Sequence, residues 1–240
     1  MGKQPGSIII VGAGGGVGLA VARRFARHGA GAGLIARSGP HLAELSATLQ
    51  SEGVPSEWAA ADARQPEELR SAIRHLAGRL GPAEVLCYSP LPAVDLIRPV
   101  LETGPEDLMA SLSLSVGGAA AAVAEVVPAM IARGSGSLLF TTGSGALRPH
   151  PGRAASAVAT TAESTYVALL HEALKPAGIR VAQLAVVGPI GSGGAHEPAD
   201  VAEALWAAAR NPAGPLTVLE QPSALEQPSA LDNPQRTNDG

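Results

Sequence analysis

Residues 8–18 of the chain read Ile8-Ile9-Ile10-Val11-Gly12-Ala13-Gly14-Gly15-Gly16-Val17-Gly18, and this stretch decides the fold. The apolar, β-branched run predicts a buried strand that stops at the first glycine. Apolar residues then recur at helical spacing up to Phe25, which predicts a helix directly after the glycines. A strand, a glycine turn and a helix in this order present free backbone N–H groups and the positive end of a helix dipole to a phosphate.

The glycines of this turn favour a nucleotide ligand. A side chain larger than hydrogen would hold a pyrophosphate away from the backbone, so close approach requires glycine. The alternative is that the turn is a plain connector between a strand and a helix. On the first interpretation, the residues predicted to contact the cofactor here are Gly12, Gly14, Gly15, Gly16, Val17 and Gly18.

Composition bounds the class of protein. At 240 residues, the chain has the length of one α/β domain with a sizeable core. A net charge of −4, with 16% charged residues, does not indicate the excess of positive charge that is typical of nucleic-acid-binding proteins. The single cysteine, Cys87, excludes an internal disulfide, and the sequence offers no metal cluster. Because the N-terminus lacks the pattern of a signal peptide and no apolar run is long enough for a bilayer, we expect a soluble cytoplasmic protein without a membrane partner.

Strand and helix patterns alternate through residues 1–219. This alternation predicts an α/β fold, a Rossmann-like three-layer α/β/α domain with a doubly wound parallel sheet of about seven strands. The ligand crevice is expected at the carboxyl ends of the strands. The predicted strands cover 8–11, 31–36, 56–60, 85–87, 137–142, 180–186 and 215–219. The predicted helices cover 17–28, a stretch beginning at 38–40, a stretch beginning at 66, 103–131, 152–177 and 200–210.

The end of the second strand indicates which nicotinamide cofactor is bound. Sites that prefer NAD carry an acidic side chain there, which accepts hydrogen bonds from the adenosine ribose. This chain has Ala36 and Arg37 instead, and a guanidinium group suits a 2′-phosphate. We therefore predict NADP(H) in preference to NAD(H). The alternative is that Arg37 is only a solvated charge at the start of the next helix.

Residues 220–240 have a different character. The six residues from Leu219 to Ala224 are repeated directly as Leu225 to Ala230, and each copy contains one proline. Regular prolines forbid a helix, and the polar composition cannot build a core. We predict that this low-complexity tail is disordered or draped over the surface.

These elements, in this order, resemble the short-chain dehydrogenase/reductase family over about residues 5–219. The stretch 11–18 is similar to the coenzyme fingerprint of that family, with Val11 in place of the usual threonine. Asp62 and Ala63 stand where the family's aspartate meets the adenine. The stretch 178–181 resembles the lead into the family's sixth strand. The resemblance implies hydride transfer between a nicotinamide and a carbonyl or alcohol.

The catalytic positions of the family differ in this chain. The family uses a tyrosine as the acid or base, a lysine four residues later, a serine that holds the substrate oxygen, and an asparagine. The residues aligned with them are, in that order, Ser156, Thr160, Gly143 (with Ser144 beside it) and Ser115. Neither of the two tyrosines, Tyr88 and Tyr166, has a lysine four residues on. A serine hydroxyl is too weak an acid to replace a phenol whose pKa a lysine lowers.

Three functions remain open from the sequence. The first is an atypical NADP(H)-binding oxidoreductase that acts on a small organic substrate without the usual Tyr/Lys pair. Its polar candidates near the crevice are Tyr88, Ser144, His150 and Ser156, and Tyr88 is also a candidate cofactor contact. The second is a non-redox isomerase, cyclase or dehydratase with His150 or His196 as the base. The third is a non-catalytic pseudoenzyme that binds NADP(H).

The resemblance also implies an assembly. Family members form dimers or tetramers through two long helices, which here are residues 103–131 and 152–177. Small residues fill 117–124, and small side chains allow close packing against another helix or a partner subunit. We expect a homodimer or homotetramer that uses these helices.

Overall fold

The computed structural model describes residues 6–92 and 96–221 of the chain. The strands are β1 (Ser7–Val11), β2 (Gly31–Ala36), β3 (Ser56–Ala60), β4 (Ala83–Tyr88), β5 (Gly136–Gly143), β6 (Ile179–Val186) and β7 (Leu216–Leu219). The helices are α1 (Val17–Ala26), α2 (Gly39–Ser51), α3 (Pro66–Leu80), α4 (Pro105–Leu112), α5 (Ala119–Arg133), α6 (Ala154–Leu174) and α7 (Pro198–Arg210). All the predicted strands and helices occur, and one predicted helix is divided between α4 and α5.

One sheet runs through the domain in the strand order β3-β2-β1-β4-β5-β6-β7. Every neighbouring pair is parallel, so each connection crosses over a face of the sheet. The strand order reverses at β1, which lies between β2 and β4. A crevice for a ligand is expected at this reversal, outside the carboxyl ends of the strands. The prediction of a doubly wound, Rossmann-like α/β fold is confirmed.

Alternate side chains of the strands pack into two separate apolar layers, one on each face of the sheet. Ile8 and Ile10 lie in the layer covered by α1, α2 and α7. Ile9 and Val11 lie in the layer covered by α3, α5 and α6. Both faces of the sheet are therefore covered by helices, which explains why β1 is apolar at every position after Ser7.

The predicted helix 103–131 differs from the observed structure in its start and in its middle. Thr103, the predicted first residue, lies before the helix, and its hydroxyl donates back to the Pro99 carbonyl at 2.9 Å. The helix begins two residues later, where the Asp107 carboxylate accepts from the Gly104 N–H at 3.0 Å. Between α4 and α5 the backbone forms a π-helical turn, Ser113–Gly118. Such turns are frequent at functional sites, and this one contains Ser115.

The stretch that contains α4, the π-turn and α5 is also long and apolar enough to cross a membrane. It covers Pro105–Arg133, with a mean hydropathy of 1.7 in its most apolar window, and 39% of that window is buried. Residues of α5 belong to the apolar layer under the sheet, and a core helix of a soluble domain has the same length and composition. Length and composition alone are therefore weak support for a membrane span.

The last described residues attach the start of the predicted tail to the domain. The Arg148 guanidinium donates to both carboxylate oxygens of Glu220, at 2.8 and 3.0 Å. The Gln221 amide donates to the Ala195 carbonyl. Glu220 and Gln221 therefore lie against loops that follow β5 and β6. The rest of the predicted tail, 222–240, lies outside the described residues.

Candidate cofactor and catalytic site

Two glycines of the turn after β1 are required by the fold of the protein itself. Gly12 has a φ of +85°, and a Cβ there would lie 2.5 Å from the Ser89 carbonyl oxygen and from the Pro90 Cα. A Cβ on Gly18 would lie 2.9 Å from the Ala13 Cα. Both positions bring backbone segments too close for a side chain. These glycines set the path of the turn, between the end of β1, the end of β4 and the start of α1.

The three glycines between them face open space. A Cβ on Gly14 would meet nothing within 4 Å, and on Gly15 or Gly16 it would meet a single side-chain atom at 3.9 Å. Packing within the described protein therefore does not call for glycine at these positions. A ligand that lies against the backbone would call for it, since a side chain would fill the space that the ligand needs.

The turn leads into a helix end that is free to bind an anion. α1 begins at Val17, which is half-buried, and the first N–H groups of a helix have no partner within it. Among the described residues, no side chain caps this end, and no acidic residue lies in its first turn. The positive end of the helix dipole is thus open to a phosphate. The open glycines and the uncapped helix fit the pyrophosphate of a dinucleotide.

A cluster of charged side chains lies next to this turn, at the carboxyl ends of β2 and β3. Arg37 follows β2 and is exposed, while Asp62 and Ala63 follow β3. Hydrogen bonds from Arg64 hold the pKa of the Asp62 carboxyl below its usual value, and the charge of Arg37 lowers it further. Arg37 therefore lies close enough to Asp62 for their charges to interact. Ala63 is buried and offers only its backbone.

Tyr88 lies inside the protein, which corrects its prediction as a proton donor and cofactor contact. Its side chain has 0% exposure, and its hydroxyl donates to the Leu114 carbonyl in the π-turn. Burial, together with the nearby Glu163 and Asp62, raises the pKa of this phenol far above its usual value. Gly118 makes the close contact possible, because a Cβ there would overlap the Tyr88 hydroxyl and the Ala63 carbonyl. Tyr88 is a core residue that fixes the π-turn against β4.

The structure brings Ser144 and Ser156 to the same end of the sheet. Ser144 lies in the turn directly after β5, and Ser156 lies in the first turn of α6; both are half-buried. The turn packs on α6, because a Cβ on Gly145 would lie 2.9 Å from the Thr160 hydroxyl. That hydroxyl donates to the Ser156 carbonyl at 2.9 Å. Thr160 therefore bonds its own helix and carries no charge toward the crevice.

The two histidines differ in their placement. His150 is exposed, and its Nδ1 accepts from the Gly152 N–H at 3.0 Å at the entrance to α6. His196 is only 4% exposed, and its Nε2 lies 3.0 Å from the Val187 carbonyl, so this nitrogen donates. The other ring nitrogen, Nδ1, is then the acceptor, but the 4% exposure of the residue keeps it away from a substrate. The prediction of His196 as a base is therefore corrected, whereas His150 stays accessible at the rim.

Glu163 is a titratable group of this region that the sequence interpretation missed. It occupies the buried row of α6 between Ala159 and Val167, and it is only 4% exposed. Its Oε1 has no hydrogen-bond partner among the described residues. Burial raises the pKa of this carboxyl to about 8. The sequence signal was available, because Glu163 interrupts an apolar row at i, i+4 spacing.

Two further buried polar groups lie in the same layer as Glu163. Thr142 lies two residues after Phe140, on the same face of β5. Gln183 lies two residues after Val181, on the same face of β6. The Thr142 hydroxyl and both polar atoms of the Gln183 side chain lack partners within the described chain. The otherwise apolar layer between α6 and the sheet therefore contains three buried polar side chains, those of Thr142, Glu163 and Gln183. As for metals, the described ranges contain no group of three or more His, Cys, Asp or Glu that could hold an ion.

Comparisons with known proteins agree with this architecture. The sequence model of the short chain dehydrogenase family matches residues 7–196. A short chain dehydrogenase of Pseudocercospora fijiensis (strain CIRAD86) is 27% identical over 179 residues, which cover 73% of this chain and 57% of that protein. The oxidoreductase UcpA of Escherichia coli (strain K12) is 29% identical over 183 residues, which cover 75% of this chain and 68% of UcpA.

Solved structures show the same fold. L-sorbose reductase from Gluconobacter frateurii, complexed with NADPH and L-sorbose, has a TM-score of 0.72 at 25% identity, covering 79% of this chain and 72% of the reductase. An NADPH-bound short chain oxidoreductase from Pseudomonas aeruginosa PAO1, which contains an atypical catalytic center, has a TM-score of 0.78 at 19% identity. That match covers 86% of this chain and 90% of the oxidoreductase.

Proposed function

From the premise that this chain belongs to the short-chain dehydrogenase family, we propose that it is an NADP(H)-dependent oxidoreductase with a non-standard active site. Its substrate is a small organic molecule, and the usual Tyr/Lys pair is replaced by Ser156 and Thr160. The observation that carries the proposal is the row Gly14–Gly16, where no packing within the described chain explains the missing side chains. A dinucleotide on the backbone explains them.

Residues of three loops would hold the cofactor. The glycine turn and the start of α1 would bind the pyrophosphate, Arg37 the 2′-phosphate, and Asp62 with Ala63 the adenine. When bound, NADPH supplies a hydride for reduction of the substrate. The NADPH-bound structures of L-sorbose reductase and of the Pseudomonas oxidoreductase support this choice of cofactor.

The hydroxyls of Ser144 and Ser156 are the groups available to hold a substrate oxygen or nitrogen. Both lie at the carboxyl end of β5 and the start of α6, and neither is a strong acid. Hydride addition to an electron-poor carbon, as in an iminium ion or an enone, needs less proton donation at the moment of transfer. We therefore propose substrates of that kind in preference to simple ketones.

The first experiment is titration of the purified chain with NADPH and NADH, followed by nucleotide fluorescence. We expect binding with NADPH preferred, and a Gly16→Ala variant that binds NADPH about tenfold more weakly or worse. The matched control is Gly78→Ala, because Gly78 lies in α3 and a Cβ there would meet nothing within 4 Å, whereas a Cβ on Gly16 would meet only the Pro198 Cγ, at 3.9 Å. A wild-type chain that binds neither nucleotide at millimolar concentration would overturn the proposal.

A non-catalytic NADP(H)-binding protein is the second candidate, favoured by the burial of Tyr88. The two candidates differ in one measurement, which is oxidation of bound NADPH in the presence of a panel of iminium ions and enones. Turnover of any panel member supports the oxidoreductase. Tight binding of NADPH with no turnover across the panel favours the non-catalytic function.

We also propose that the chain self-associates and that it is located in the cytoplasm. Met109 on α4 and Leu169 on α6 are 63% and 66% exposed, and Val158 on α6 is also exposed. Apolar side chains on these two helices suit the contact expected for a homodimer or homotetramer.

A further inference from the structure

The Asp62 carboxylate is already occupied by a neighbour in this structure. The Arg64 guanidinium donates through Nε to Oδ1 at 3.1 Å and through Nη2 to Oδ2 at 2.6 Å. The Arg64 backbone N–H donates to Oδ1 at 2.9 Å. Both carboxylate oxygens are therefore engaged by one residue. An adenine amino group could use Asp62 as its acceptor only if the Arg64 side chain moved away.

Arg37 and Arg64 lie at neighbouring strand ends. Ala36 and Ala60 are register partners at the ends of β2 and β3, and the Ala61 N–H donates to the Ala36 carbonyl at 3.0 Å. Arg37 and Arg64 follow within a few residues on the two loops. The Arg64 side chain is 40% exposed, so its guanidinium borders solvent beside Asp62. Two guanidinium groups and one carboxylate thus share this corner of the crevice.

We propose that Arg64 is a second ligand of the 2′-phosphate and that its ion pair with Asp62 discriminates between NADP(H) and NAD(H). A 2′-phosphate draws Arg64 off Asp62, and the freed carboxylate accepts the adenine amino group. NAD(H) has no anion at this position, so Arg64 stays on Asp62 and blocks the adenine contact. This inference rests on the proposed function and deepens its cofactor specificity.

Charge and geometry favour the exchange. A phosphate monoester carries close to two negative charges and three acceptor oxygens, whereas Asp62 offers one charge and two oxygens. Arginine binds phosphate with two parallel hydrogen bonds, so Arg64 gains a stronger partner when it leaves Asp62. Together, Arg37 and Arg64 would neutralise the charge of the 2′-phosphate, and the Asp62 carboxylate would regain a hydrogen bond from the adenine amino group.

The test is calorimetric titration of the full chain and its Arg64→Gln variant with NADPH and NADH. We expect Arg64→Gln to weaken NADPH binding by about ten- to a hundredfold, because a hydrogen bond to a charged group is lost. NADH binding should be unchanged or tighter, since Asp62 is uncovered. The probes 2′,5′-ADP and 5′-AMP should separate in the same way, because only the first carries the 2′-phosphate.

Two further variants make the result specific. Arg64→Lys keeps the charge but loses the paired hydrogen bonds, so its NADPH affinity should lie between the other two. Arg79→Gln removes an exposed arginine that pairs with Glu57, and it should leave both affinities unchanged. Equal weakening of NADPH and NADH by Arg64→Gln would mean that Arg64 only shapes the loop, and would overturn the inference.

The remaining outcomes separate this inference from the proposed function. A wild-type chain that prefers NADPH, with an Arg64→Gln variant that keeps that preference within about twofold, overturns the role of Arg64 alone. A wild-type chain that binds neither nucleotide overturns the proposed function, and this inference with it.

Discussion

The buried carboxyl of Glu163 makes a quantitative prediction about stability. In the folded chain its pKa is raised to about 8 by burial, against 4.5 for an ordinary glutamate. Its Oε1 finds no partner in the described part of the chain, so no hydrogen bond at that oxygen offsets the cost of ionisation. The perturbation that tests this is Glu163→Gln, which keeps the shape of the protonated side chain and cannot ionise.

The sign and the size of the pH dependence of the free energy of unfolding follow from proton linkage. Between pH 4.5 and about 8 the unfolded chain has lost the proton of Glu163 and the folded chain has kept it, so the free energy of unfolding falls as pH rises. The fall is about 1.4 kcal/mol per pH unit, or about 5 kcal/mol over the whole range. Above about pH 8 both states are ionised and the loss is complete.

The assay is urea unfolding of the wild type and of Glu163→Gln at several pH values. Between about pH 6 and about pH 9, we expect the variant to gain about 3 kcal/mol relative to the wild type. The matched control is Glu172→Gln, on the exposed face of the same helix, which should show no such gain. A stability difference between Glu163→Gln and wild type that does not change with pH would refute the reasoning.

Three further substitutions have defined outcomes. Gly12→Ala should lower the free energy of unfolding by about 3 kcal/mol or more, because a Cβ there meets backbone atoms at 2.5 Å. The control is Gly53→Ala, where φ is +80° and the space is open; it should lower the free energy of unfolding by only about 1–2 kcal/mol. Urea unfolding measures both. Tyr88→Phe should cost about 1–2 kcal/mol, because the Leu114 carbonyl loses its donor, and should leave NADPH binding unchanged; weaker binding would return Tyr88 to the cofactor site. Leu169→Glu should shift the sedimentation of the chain toward the monomer, and an unchanged value would remove α6 from the proposed interface.

The cofactor half of the site could be predicted from the sequence because local features build it. The strand, the glycine turn and the start of α1 follow one another within residues 7–26, and each has its own signal in side-chain size and spacing. Arg37 follows directly from the end of β2. The different roles of the glycines could not be predicted from the sequence, since Gly12 differs from Gly14 by its φ of +85° and by its close contacts with Ser89 and Pro90.

The chemical half could not be predicted in the same way, because tertiary packing decides it. Tyr88 is the last residue of β4, and nothing in the local sequence shows that its ring turns inward and that its hydroxyl donates to the Leu114 carbonyl, 26 residues away. The π-turn that accepts this bond has no sequence signature of its own. The helix begins at Pro105 and not at 103, because the Thr103 hydroxyl donates back to Pro99 and the Asp107 carboxylate accepts from the Gly104 N–H.

The placement of the acids limits the chemistry of the crevice. Tyr88 is buried in the core, and Glu163, two turns along α6 from Ser156, is only 4% exposed. Of the predicted candidates, those that stay accessible near the end of β5 are the hydroxyls of Ser144 and Ser156, with His150 at the rim. A hydroxyl can hold a substrate oxygen but cannot deliver a proton within a fast hydride transfer, and general acid catalysis contributes about 10²–10⁴-fold. A simple ketone would lose that factor in full. An iminium ion gains its hydride without any proton, so the same crevice would lose nothing by lacking an acid.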